Sequence, residues 1–281
     1  MLKYQYKNVI GGIIMAKGNL RGVCPATKKD GSVYYRSSIT HRNKHISLGS
    51  YDSPFDAHSA YWEAAILLTK KDMTLDDYNP DRILDYRKWV ILINFRDNDL
   101  YITAPVYLRP NYFEYHLGVG NILKFSTDDL FYYSKKQIMQ RGRHFFVADY
   151  GMQVNILNRY GIKNYAVEGR DFIFKNGDNM DFRYDNIKII NSYNGVTSKM
   201  TKKGMRYTAR IHIIGNYTIG RYSSEAEAAI AYNKAIDILK ANGVKKNFSP
   251  NYLEDIPAKE YARIYSEVSV SKKVADFRPK S

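Results

Sequence analysis

The sequence predicts an α+β chain: two small domains, each a three-stranded antiparallel sheet with a helix, one on either side of a different middle region. Three observations predict it. One stretch occurs twice, at Gly22 (GVCPATKKDGSVYYRSSITHRNKHISLGSYDSPFDAHSAYWEAAILL) and at Gly195 (GVTSKMTKKGMRYTARIHIIGNYTIGRYSSEAEAAIAYNKAIDIL). Within each copy a two-residue alternation gives way to spacing by three and four. Turn and cap residues mark the joints between the two patterns.

The copies match residue by residue. Gly22 aligns with Gly195, Val23 with Val196, Tyr35 with Tyr207, Ile39 with Ile211, Gly49 with Gly220 and Tyr51 with Tyr222. Ala57, Ala60-Tyr61, Ala64 and Leu68 then align with Ala228, Ala231-Tyr232, Ala235 and Leu239. In the second strand Tyr35, Ser37 and Ile39 alternate with Tyr34, Arg36, Ser38 and Thr40, as in a sheet covered on one face. Lys28–Gly31 and Lys202–Gly204 supply the first hairpin turns. Ser53-Pro54 opens one helix, and Ser224 with Glu227 makes a capping box for the other. Small alanines let each helix lie close to its sheet and leave the opposite face open.

Lys and Arg number 43 against 28 Asp and Glu, a formal net charge of +15. That surplus favours a polyanionic partner, nucleic acid before an anionic membrane. Some of the 26 tyrosines suit base stacking, and most suit half-buried structural places. Cys24 is the only cysteine, which excludes an internal disulfide and a cysteine zinc site. The start MLKYQYKNVIGG has no long apolar core of a signal peptide. The longest apolar run, WVILINF at Trp89–Phe95, is read as a strand, too short to span a membrane. A soluble protein of a reducing, cytoplasmic compartment is expected.

The string G-V, Y-x-A/S-x-I, L/I-G-x-Y and A-x-x-A-Y-x-x-A, present twice, resembles the APETALA-type DNA-binding domain of plant ethylene-response factors. In that family the uncovered sheet face enters the major groove, and the resemblance carries this role onto particular residues. On the first strands it falls on Arg21 and Cys24, and on Asn194, Thr197 and Lys199. On the second strands it falls on Ser38 and Thr40, and on Arg210 and His212; on the third, on His45 and Ser47, and on Asn216 and Thr218. Arg36, Arg206 and Thr208 add contacts, and Lys28, Lys29, Lys202 and Lys203 at the turns suit phosphates. Most of the plant family's arginines and tryptophans are missing, so its target sequence does not carry over.

Between the repeats, FIFKNGDNMDFRYDNIK (Phe172–Lys188) resembles the metal-binding half of an HNH nuclease, a ββα fold. The D-H-I-N-G-N of that family becomes Ile173-Phe174-Lys175-Asn176-Gly177-Asp178, and D-N-R-x-E-N-L becomes Asp181 to Ile187. Phe174 stands where the general-base histidine belongs, and Gln153 where an earlier histidine belongs. Phenylalanine neither takes a proton nor binds a metal. Asp171, Asp178, Asp181 and Asp185 offer an alternative carboxylate ligand set, with His144 a distant base. Asp181 and Asn186 otherwise hold the loop. His41, His45, His58, His116 and His212 show no ligand spacing and are given surface or groove roles.

One APETALA-type domain beside an HNH nuclease is a layout of phage and mobile-element homing endonucleases. The resemblance implies a phage-encoded, degenerate HNH-like protein that works in a bacterial host cell. It would bind double-stranded DNA, without catalytic residues, metal or cofactor. The alternatives are an active HNH-like nuclease using Mg²⁺, with Asp181, Asn186 and His144 as candidates, and an RNA-bound or virion structural protein. Membrane is not an expected partner. The expected divisions are an APETALA-like domain at 1–75, a link at 76–96, the HNH-like region at 97–192, a second APETALA-like domain at 193–252 and a C-terminal helix with a loose basic tail at 253–281.

Overall fold

Three antiparallel strands and a helix form at each repeat. The first has β1 (Val23–Thr27), β2 (Val33–His41), β3 (Lys44–Tyr51) and α1 (Pro54–Thr69), in sheet order β1-β2-β3. A computed structural model describes residues 20–279 of the chain; the stretch MLKYQYKNVIGG, read above for a signal segment, lies outside them. The Ser53 side chain caps α1 by accepting from the Phe55 N–H, with Pro54 in the first turn. Ala57, Ala60, Tyr61, Ala64, Leu67 and Leu68 turn to the sheet, as the three-and-four spacing requires.

WVILINF is a helix, not a strand. It lies in α2 (Tyr86–Asn98), capped by Asp85, whose carboxylate accepts from the Lys88 N–H at 2.6 Å. An unbroken apolar run carries no periodicity that separates strand from helix. Residues from Trp89 to Arg96 are all buried, so this helix is apolar around its whole girth because it lies inside. Leu84, Trp89, Leu92, Ile93 and Phe95 share one core with Ile39, Ile46, Leu48 and Leu67 of the repeat. Arg96 reaches back to the end of α1, donating to the carbonyls of Leu67 (3.2 Å), Lys70 (2.5 Å) and Met73 (2.8 Å). It thereby satisfies carbonyls left open at a helix C-terminus.

The sheet β4 (Val106–Leu108), β5 (Tyr112–Gly118), β6 (Asn121–Ser126) follows, then the short α3 (Leu130–Tyr133) and the sheet β7 (Ile138–Arg141), β8 (His144–Asp149), β9 (Met152–Asn155). The chain divides into two compact units. One is the chain up to Gln153 together with Met180–Arg183; the other is Val154–Asn179 and the chain from Tyr184 onward. Met180–Arg183 joins the first unit as a bridge beside β6, with the Lys124 N–H on the Met180 carbonyl at 2.9 Å and the Phe182 N–H on the Lys124 carbonyl at 2.8 Å. The Phe182 ring stacks 5.7 Å from Phe125 and meets Phe145 edge-on at 5.8 Å.

In the second unit β10 (Phe172–Phe174) pairs with β11 (Ile187–Ile189). The second repeat follows as β12 (Val196–Thr201), β13 (Gly204–His212), β14 (Asn216–Tyr222) and α4 (Glu225–Ala241). Ser224 and Glu227 close the expected capping box. Between Tyr133 and Glu225 the described chain has no α-helix, only the 3-10 turn Ile156–Tyr160, ended by Gly161 at φ 74°. The helix of a ββα arrangement is therefore not found beside β10 and β11. The C-terminal segment, expected to be loose beyond its helix, is docked: α5 (Ala258–Glu267) and α6 (Lys272–Ala275) place Ile264, Val268 and Val274 in the core of the second repeat. Their apolar spacing is too short to register as a pattern.

The molecule is thus mixed α+β, with several small three-stranded antiparallel sheets and few helices. Among the described residues no helix is long and apolar enough to cross a membrane.

Candidate nucleic-acid interface

The duplicated residues build a frame that aims one sheet face outward. Gly22 and Gly195 sit at φ +79° and +70°, where a side chain is strained. A Cβ at Gly22 would collide with the Tyr61 ring, and one at Gly195 with the Tyr232 ring and the Arg210 carbonyl. The Gly22 carbonyl accepts from the Ser38 N–H at 2.9 Å, and the Gly195 carbonyl from the Arg210 N–H at 2.8 Å. The same bond thus fixes the same second-strand position in both copies.

Each sheet carries a bulge, between Ser37 and Ser38 and between Ala209 and Arg210. A bulge reverses the alternation beyond it. Tyr51 and Tyr222 therefore turn to the covered side, and burial pushes both phenols up to about 12. As neutral donors they hold the Leu48 carbonyl (3.1 Å) and the Ser269 carbonyl (2.7 Å). By the same reversal Ser50 and Arg221 emerge on the open face, opposite Arg36 and Thr208. Simple alternation misses both; the Gly-x-Tyr repeat, a glycine inside a strand, is the signal that finds them.

In the first sheet the open face brings together Cys24 opposite Arg36, Ala26 opposite Tyr34, Ser38 opposite Ser47 and Thr40 opposite His45. Arg36 donates to the Tyr34 hydroxyl at 2.8 Å, which raises the pKa of its guanidinium. Arg21, just before β1, lies over the Tyr61 ring at 5.5 Å. Lys28 stands 3.8 Å from Asp52, Lys29 is exposed, and Arg42 pairs with Asp99.

In the second sheet Lys199 stands directly opposite Arg206, Thr197 opposite Thr208, Arg210 opposite Thr218 and His212 opposite Asn216. The His212 Nδ1 lies 3.1 Å from the Asn216 Oδ1, and the equivalent Thr40–His45 contact in the first sheet is 3.5 Å. Lys202 and Lys203 at the first turn are exposed. No acidic residue occurs from Asn186 to Ser224. Among the described residues none of Lys199, Arg206, Arg210 and Arg221 forms an ion pair. Like charges directly opposite on a sheet are destabilising, so this face suits an external anion better than it suits the fold. Outer strands about 10 Å apart match a major groove about 12 Å wide.

Asn194 is not on this face. It is 6 % exposed and accepts from Lys163 Nζ (2.6 Å) and the Tyr165 hydroxyl, while its own N–H donates to Asn251 Oδ1 (2.6 Å). It lies before the strand, where alternation has not begun. His116 likewise has no surface role: it is 2 % exposed, its Nδ1 is 2.9 Å from the Tyr86 hydroxyl and its Nε2 is 3.6 Å from Glu114. The Tyr86 hydroxyl and the Glu114 carboxylate beside it account for its place inside.

The Asn-Gly loop is held by hydrogen bonds. In the second unit the Asn186 Oδ1 accepts from the Asn176 N–H at 2.9 Å, and the Asn176 Oδ1 accepts from the Asp178 N–H at 2.8 Å. Phe174 is buried on β10, and Asn186 is 5 % exposed. Asp171 accepts from Val167 N–H, Arg170 and Asn191; burial pushes its carboxyl up, but these donors more than offset that and hold it below the usual range. In the first unit Asp181 is fully buried and gripped by Arg183 through Nε (2.9 Å) and Nη2 (2.6 Å), with Arg183 over the Tyr112 ring. A carboxylate held in this two-point way is a structural anchor. His144 is exposed at the β7–β8 turn, and Gln153 is exposed on β9. Among the described residues no group of three or more His, Cys, Asp or Glu side chains gathers as a metal site. No family model, curated protein or solved structure matches the chain.

Proposed function

We propose that the protein binds double-stranded DNA by laying the open faces of its two repeat sheets in the major groove. The Asn-Gly loop region between the repeats serves as scaffold without nuclease chemistry. The observation that carries this reading is the second sheet: Lys199, Arg206, Arg210 and Arg221 share one acid-free face at a cost to the fold that a polyanion offsets. His212, Asn216, Thr218, Ser38, Thr40, His45 and Ser47 offer donors and acceptors to base edges, and the turn lysines meet phosphate. The resemblance to APETALA-type domains and HNH homing endonucleases suggests a regulator or genome-organising factor of a phage or mobile element.

The test is titration of duplex DNA at several salt concentrations. Log affinity is expected to fall linearly with log salt, by about 0.9 for each phosphate neutralised. Salt-independent binding, or none, sinks the reading, and structured RNA that outcompetes duplex replaces DNA as the ligand. Supercoiled plasmid should survive Mg²⁺ or Mn²⁺; cleavage by the purified chain overturns the non-catalytic part.

A further inference from the structure

The edge of the second sheet is built differently from that of the first. β14 is an outer strand, and the C-terminal segment runs against it. Ser271 donates its N–H to the Ile219 carbonyl at 2.8 Å and its hydroxyl to the Thr218 carbonyl at 2.7 Å. Phe277 meets Tyr217 edge-on at 5.6 Å, and Val274 is fully buried. These contacts leave the α6 lysines exposed beside β14. A groove of about 470 Å³ remains between segment and strand, lined by Asn216, Thr218, Arg221, Ser271 and Lys273 among others. Arg221 lines it from the strand and Lys273 from the C-terminal segment, and among the described residues neither has an ion-pair partner. Asn216 and Thr218 belong at once to this groove and to the open face.

We propose that this groove seats a backbone phosphate of the duplex read by the second sheet, clamped by Arg221 and Lys273 with the Thr218 hydroxyl and Asn216 amide as further donors. The proposal rests on the DNA reading above. Two cations lining one groove at the rim of a groove-reading face match an anion that recurs at fixed spacing along a duplex. Among the described residues the first sheet has no counterpart: Ser50 stands at the position of Arg221, and after α1 the chain passes into α2. The C-terminal segment thereby becomes part of the interface, giving the two repeats different footprints on DNA.

Lys273→Gln and the double variant Arg221→Gln/Lys273→Gln test this in the full chain. Both residues are exposed, so equal thermal melting is expected. The salt slope for duplex binding should shrink by about 0.9 for the single variant and about 1.8 for the double. A control double variant, Lys240→Gln/Lys259→Gln, removes the same charge from exposed positions on α4 and α5 and should leave the slope unchanged. If the parent binds with a salt slope but the Arg221/Lys273 variant keeps it, or the control loses as much, the clamp is overturned while the DNA reading stands. A parent that fails to bind duplex overturns the DNA reading itself.

Discussion

The two repeats share a frame and differ on its surface. Each sets a glycine at positive φ against a helix tyrosine, and each turns a second tyrosine inward at a bulge. On the open faces Lys199 and Arg206 stand where the first copy has Ala26 and Tyr34, Arg210 where it has Ser38, and Arg221 where it has Ser50. Several cations of the first copy are engaged nearby: Arg36 with Tyr34, Arg42 with Asp99, Lys28 near Asp52. Packing holds the frame because any change there collides with something. The open faces carry no such collisions, and there the side chains of the two copies differ. The second carries four cations and the first mostly hydroxyls and rings, and under the DNA reading the second would anchor on phosphates while the first offers hydroxyls to bases.

The frame is the place to break that comparison first. Gly195→Ala should destabilise the second unit by about 3 kcal/mol or more, since strain at positive φ adds to a collision with the Arg210 carbonyl. Gly22→Ala should cost the first unit less, about 2 kcal/mol, because the three nearest atoms belong to the Tyr61 side chain and none to the backbone. Denaturant midpoints of the two variants measure both, and equal losses contradict the backbone collision.

The faces come next. Lys199→Gln/Arg206→Gln/Arg210→Gln should weaken duplex binding on the order of 100-fold, about 2.7 kcal/mol, whereas Arg36→Gln should cost no more than about fivefold. Comparable losses from the two sheets, read by fluorescence anisotropy, would remove the division of labour.

A third contrast is in acid. Glu114 is buried on β5; burial pushes its carboxyl up, but the nearby His116 ring and the Arg109 guanidinium, 2.9 Å away, more than offset this and hold it below the usual range. A depressed folded-state pKa adds stability that is present above the unfolded value of about 4.3 and lost as pH falls through the folded one. Denaturant melts of the parent should therefore weaken below about pH 4.5, and Glu114→Gln should flatten that slope while lowering stability at pH 7. In the second unit Asp171 is likewise held below the usual range but is less deeply buried than Glu114, so that unit's transition should move less.

The smallest effect is the most pointed. Lys199→Gln alone should stabilise the DNA-free second unit by about 0.5 kcal/mol, by relieving the like-charged pair with Arg206. A loss of stability would mean that the pair is not in conflict.

What could be read in the sequence follows the same division. Duplication exposed the frame, because Gly22, Tyr61 and their partners recur wherever packing leaves no choice. Alternation set Thr40 apart from the covered side, and the family resemblance put His45, Arg210 and His212 on the open faces. Alternation misses Arg221 and Ser50, where a bulge flips the phase, and the resemblance misplaced Asn194, which precedes the strand. Trp89–Phe95 read as a strand because a helix buried on all sides has no polar face to reveal its period. The docking of Val274 was invisible, since it depends on segments brought together only by folding.

The DNA reading is tested most directly by side-chain protection. Phenylglyoxal labelling of the full chain, with and without saturating duplex, reports each arginine separately. Arg206, Arg210 and Arg221 should be strongly shielded by DNA, while Arg263, exposed on α5 and paired with Glu267, should react equally in both states. Shielding of Arg263 with the three sheet arginines left reactive would contradict the assignment of the open sheet face as the DNA-binding surface.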